Sequence, residues 1–96
     1  MSRQPTHPGE LLREEVLPAL KRPKTEIASL IGISRQHLYA ILSERQGITA
    51  DVAVRLGKLC GNGPDLWINM QQNYDLWRAK KHLAAEIKRI PTLRAA

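Results

Sequence analysis

Three residues near the middle of the chain could be written as a hydrolytic triad, with Ser34 as nucleophile, His37 as base and Asp51 as the orienting carboxylate. The local context argues against it. Ser34 stands at the start of a helical pattern, where its hydroxyl is wanted as a cap, and no glycine-framed elbow presents it. Glu14 and Glu15 are adjacent, so on a helix they point about 100° apart and cannot share a substrate as acid and base. His7, His37 and His82 keep no metal-ligand interval, Cys60 is the single cysteine, and no glycine-rich phosphate loop occurs. The chain therefore reads as a non-enzyme without metal or cofactor. A different chemistry fits the run Ser34-Arg35-Gln36-His37-Leu38-Tyr39-Ala40. Arginine pairs bidentately with guanine and glutamine with adenine, so Ser34, Arg35, Gln36, His37, Tyr39 and Ala40 are candidates for base readout in a DNA major groove. Lys24, Thr25 and Arg45 flank them as candidates for phosphate contacts, which fix docking without carrying sequence information.

Such side chains need a helix to carry them and a second to brace it. Gly32 stops a helix over about 24–31, on which Ile27, Ala28, Leu30 and Ile31 mark the apolar side, and Ser34 caps the next, running to about Ser43. On that second helix Leu38, Ile41 and Leu42 face inward. Ala28, Gly32, Ile33, Leu38 and Ile41 keep the spacing of a DNA-binding helix-turn-helix over 24–42: a small residue for close crossing, a glycine for the turn, and apolar anchors behind the reading face. Leu12, Val16 and Leu20 recur on an earlier helix over about 9–20, which Pro18 is expected to tighten or end. Thr49-Ala50-Asp51 opens a fourth helix carrying Val52, Ala53, Leu56, Leu59 and Cys60, with Gly61 as its stop. Asn62 or Gly63 is expected to cap a fifth with Pro64 at its first position; Leu66, Trp67, Met70, Tyr74 and Trp77 mark its stripe. No strand pattern or repeat appears. The expected fold is all-α with five helices, the fifth able to continue through the basic residues after Trp77 until Pro91 ends it.

At 96 residues and 10.8 kDa the chain makes one small domain, so its core is thin and a second copy can supply what it lacks. Residues 1–77 carry nine lysines and arginines against eight acids, whereas 78–96 carry six against Glu86 alone. Most of the net +6 thus lies in a basic C-terminal extension, pointing to an anionic partner, nucleic acid above all. No apolar run approaches a bilayer span and the first ten residues hold no apolar leader core, so the expected location is cytoplasmic, with no membrane.

Residues 24–42 resemble the Cro/phage-repressor class of helix-turn-helix domains, and two flanking segments narrow the likeness. His7-Pro8-Gly9-Glu10 with Leu11-Leu12-Arg13-Glu14-Glu15, and Pro64-Asp65-Leu66-Trp67-Ile68-Asn69-Met70-Gln71 with Asn73-Tyr74-Asp75-Leu76, resemble the HigA/VapI antitoxins. Ile48-Thr49-Ala50-Asp51 fits the family's opening of helix four. The resemblance covers 7–77 and departs from the pattern at Glu44-Arg45-Gln46, where Asn/Ala-Gly-Lys is commoner; 78–96 matches no family motif. It implies a lambda-repressor-like domain over 1–77, followed by the 78–96 extension. It also implies an antitoxin that neutralises a HigB-type mRNA interferase toxin and represses its own operon by binding a palindromic operator as a homodimer. A stand-alone phage-type repressor without a toxin is the alternative. Trp77, Leu83, Ile87 and Ile90 are candidates to pair with a second copy or to dock toxin, with Trp77 open to a plain core role as well.

Overall fold

Proline and glycine punctuation becomes six helices in the computed structural model, which describes residues 3–94. Helix α1 begins as Pro8–Leu11, widens into a π-helical stretch over Leu12–Val16 and closes over Leu17–Leu20. Pro18 does not end it. Having no N–H, Pro18 cannot continue the ordinary ladder, and the ladder slips by one residue upstream, with the Leu17 N–H donating to the Leu12 carbonyl. The helix is thus widened rather than tightened, and it runs on to Leu20. Then come α2 (Lys24–Ile31), α3 (Arg35–Leu42), α4 (Ala50–Cys60), α5 (Asp65–His82) and the short α6 (Ala84–Ile87).

The core gathers one stripe from each of α1 to α5. Leu12, Ile27, Leu38, Ile41, Val52, Leu56 and Trp67 are among its fully enclosed side chains. Helix α3 packs on α2 and α1, α4 packs on α2 and α5, and α1 also reaches α5, so α1 joins the two ends of the bundle. Two expected stripe residues face outward instead: Leu30 is 56% exposed and Leu66 42% exposed. In both cases a neighbour in sequence, Ile31 or Trp67, takes the inward position. The start of α5 also differs from expectation. Pro64 occupies the cap position without a side-chain bond, and the Asn62 carbonyl oxygen accepts from the buried Trp67 indole N–H at 3.3 Å. Asn62 is therefore spent on satisfying the one polar atom of the largest core residue.

Helix five continues past Trp77, as the helix formers there allow, but only to His82; Leu83 breaks it from α6. Residues 78–94 are all exposed, and this arm stretches the molecule to 53 × 27 × 23 Å. The radius of gyration is 16.5 Å, against roughly 12–13 Å for a compact chain of this length.

Helix α1 crosses α3 with the two backbones in direct contact. A Cβ at Gly9 would overlap the carbonyl oxygen of Ile41. Gly9→Ala is expected to cost about 2–3 kcal/mol in urea denaturation, since two helix backbones would have to part. An unchanged midpoint would mean that α1 and α3 stand further apart.

Candidate nucleic-acid interface

The turn between α2 and α3 is built by backbone hydrogen bonds and one cap. Gly32 takes a left-handed conformation at φ 75°, its N–H donates to Ser29 and the Ile33 N–H donates to Ala28 at 3.0 Å, which satisfies the last carbonyls of α2. Ser34 then accepts from the His37 backbone N–H at 3.0 Å, capping α3 as its position in the sequence predicts. That bond commits Ser34 to the cap, and Asp51 is engaged by Arg55 one turn along α4. Among the described residues no group of three or more His, Cys, Asp or Glu is placed to hold a metal ion. Burial pushes the Cys60 thiol above its ordinary pKa, keeping it protonated.

With Leu38, Ile41 and Leu42 buried, the opposite side of α3 faces solvent. Arg35, Gln36 and Tyr39 are exposed there, and His37 and Ala40 are half-buried at its margins. Ser34, Gln36, His37 and Ala40 line one shallow groove together with Arg45 and Gln46 from the following loop. Arg35 and Tyr39 stand outside that groove. Lys24 and Thr25 lie exposed on the first turn of α2, and Arg45 is oriented by its Nε bond to the Ser43 hydroxyl at 2.9 Å. Far along the chain, half-buried Trp77 lines a second groove with Arg3, Pro5, Asn73, Leu76, Lys80 and Lys81, and the Lys81 ammonium sits 5.1 Å from its ring centre. Leu83 and Ile87 lie exposed on the arm beyond it.

No family model matches the chain. The virulence-associated protein I of Dichelobacter nodosus is 40% identical over 75 residues, covering 78% of this chain and 69% of that protein. The antitoxin HigA-1 of Vibrio cholerae is 30% identical over 91 residues, covering 95% of this chain and 86% of that protein. The solved structure of the Pseudomonas aeruginosa antitoxin HigA with the higBA promoter superposes with a TM-score of 0.85 at 33% identity, covering 94% of this chain and 99% of that one. The chain belongs to the HigA antitoxin family. Its helical architecture is that of the family, and so is much of the arm: an alignment over 94% of the chain must reach well into 78–96, although that segment carries no recognisable motif.

The side chains that hold α3 and its surroundings in place were given no structural role by the sequence, although His7, Arg13 and Gln71 stand in the segments that resemble the family. Arg13 Nη1 donates to the Leu42 carbonyl at the end of α3 at 2.6 Å and lies 3.4 Å from Glu44. Arg55 donates to the Ile31 carbonyl at 2.9 Å, lying against Gly32 where a Cβ would sit. Buried Gln71 accepts from the Ile48 N–H at 2.8 Å and donates to Asp75 at 2.9 Å. His7 Nδ1 accepts from the Gly9 N–H at 2.9 Å, capping α1, and its ring meets Tyr74 edge-on at 4.8 Å. Only His7 left a local trace, since it precedes a proline at the first position of a helix.

Because Nδ1 must be unprotonated to accept that bond, His7 makes stability depend on pH. Burial holds its pKa below the ordinary 6.5, Glu44 and Asp75 oppose the shift, and Arg78 and Arg13 assist it. A depressed folded pKa gives stability that is complete above about 6.5 and is lost as pH falls through the folded value. Urea denaturation from pH 7.5 to 5 should show a steeper loss in the native chain than in His7→Asn, whose amide oxygen caps without titrating. Parallel curves would remove His7 from this role.

Proposed function

We propose that the chain is the antitoxin of a type II toxin–antitoxin pair: it binds a palindromic operator upstream of its own operon as a homodimer and neutralises a HigB-type mRNA interferase in the cytoplasm. One observation carries the DNA-binding half of this reading. Helix α3 is capped at its start by Ser34, tied at its end by Arg13 and anchored by three buried apolar residues, yet its outward face bears Arg35, Gln36 and Tyr39 with no structural task among them. The solved HigA structure with the higBA promoter supports the same use of the fold. Ser34, Arg35, Gln36, His37, Tyr39 and Ala40 read base edges, while Lys24, Thr25 and Arg45 hold phosphates. An eight-residue helix reaches only a few base pairs, so two copies are needed, with half-sites one helical turn or a multiple apart.

Residues 1–77 form the reading domain and 78–96 the arm that serves association. Trp77, Leu83 and Ile87 are the partner-facing residues, because the arm exposes Leu83, Ile87 and Ile90 without covering them by its own domain. The cations Arg3, Lys80 and Lys81 line the groove at Trp77.

Co-expression with the neighbouring small open reading frame tests the antitoxin half: a toxic neighbour rescued by this chain, and co-purifying with it, supports the reading. A harmless neighbour that forms no complex leaves a stand-alone repressor. On operator DNA, Arg35→Ala should lower discrimination at one base pair per half-site by on the order of tenfold. Lys24→Ala should weaken all sequences alike and reduce the salt dependence of binding by about one counterion per copy. Unchanged sequence preference in Arg35→Ala would remove that residue from readout.

A further inference from the structure

The loop after α3 is a rigid hook. The Glu44 N–H donates to Ile41 at 3.0 Å, and the Arg45 and Gln46 N–H groups both donate to the Ala40 carbonyl, at 2.9 and 3.1 Å. Glu44 turns the chain with a left-handed φ of 64°, a conformation non-glycine residues adopt only when neighbours impose it. Arg13 reaches Glu44 from α1, while Gln71 of α5 lies over Gly47, its amide 2.7 Å from where a Cβ would stand, and binds the Ile48 N–H. With 44 and 47–48 both fixed, Arg45 and Gln46 are the two exposed residues of the hook left projecting beside α3. There Gln46 lines the groove of Gln36, His37 and Ala40.

We propose that Gln46 is a further specificity-determining residue, reading an adenine edge in the major groove alongside the face of α3. This rests on the DNA-binding reading above. A glutamine amide offers one acceptor and one donor side by side, matching the N6 amino group and N7 of adenine. Held at the hook, that amide is displaced along the groove from Gln36, so the two glutamines address different base pairs. Arg45, tethered to Ser43, supplies the adjoining phosphate contact and keeps the hook against the strand.

The test is selection of randomised 28-base-pair duplexes by the intact wild-type chain, followed by gel-shift titration of single-base-pair variants with wild type, Gln46→Ala and Gln46→Glu. Gln46→Ala should lose on the order of tenfold discrimination at one A·T pair per half-site, distinct from the pair that responds to Gln36→Ala. Gln46→Glu should move the preference at that pair from adenine toward cytosine, since a carboxylate only accepts and the cytosine N4 amino group donates. Circular dichroism checks that both variants remain folded. Equal weakening on every sequence would make Gln46 a phosphate contact and overturn the inference, as would an unaltered preference at every position. Failure of the wild-type chain to select any sequence would overturn the DNA-binding reading itself.

Discussion

An eight-residue helix does not persist alone in water, since nucleation costs more than two turns of hydrogen bonds return. The position of α3 is therefore decided wholly by what surrounds it. Leu38, Ile41 and Leu42 anchor one face in the core, each worth about 1.5–3 kcal/mol of burial. The absence of a side chain at Gly9 lets the α1 backbone come directly against the Ile41 carbonyl, and Arg13, one turn further along α1, closes the carboxyl end of α3. Because α1 also packs on α5, displacing any of the three helices displaces the reading face.

A common device runs through four of the supporting contacts: a polar side chain meets a backbone atom at a helix end or in a loop. Arg13 takes the Leu42 carbonyl, Arg55 the Ile31 carbonyl, Gln71 the Ile48 N–H and His7 the Gly9 N–H. Leaving such a group unpaired inside the protein would cost about 1–3 kcal/mol. Among the described residues no buried side-chain nitrogen or oxygen lacks a partner. The exposed Arg35 and Gln36 of α3 take no part in this internal bonding, which leaves them free for the base contacts proposed above.

What could be read from the sequence was what local chemistry specifies. Gly32, Ser34, Thr49 and Gly61 mark helix ends where the structure has them, because stopping and capping involve residues within four positions of one another. The inward residues of α3 followed from helical period. The contacts that place the interface were out of reach, since Arg13–Leu42, Arg55–Ile31 and Gln71–Ile48 join residues 29, 24 and 23 positions apart and no local pattern encodes their pairing. Leu30 and Leu66 show the same limit in reverse. Both fit an apolar stripe, but adjacent large residues compete for one inward position, and tertiary packing chose Ile31 and Trp67.

Charge is divided differently from shape. Residues 1–77 are almost neutral, nine cations against eight acids, and among the described residues three of the nine, Arg13, Arg22 and Arg55, are engaged by Glu14 and Glu44, Glu26 and Asp51. The arm holds six cations and one acid on a fully exposed segment. Net charge places long-range attraction to a polyanion chiefly on the arm, whereas the proposed reading places discrimination between sequences on α3 and its hook. Two arms of like charge repel, so association through their apolar residues is opposed by electrostatics in free solution. On the proposed reading, an anionic partner lying along both arms would relieve that repulsion and so would tie pairing of the copies to the binding of DNA.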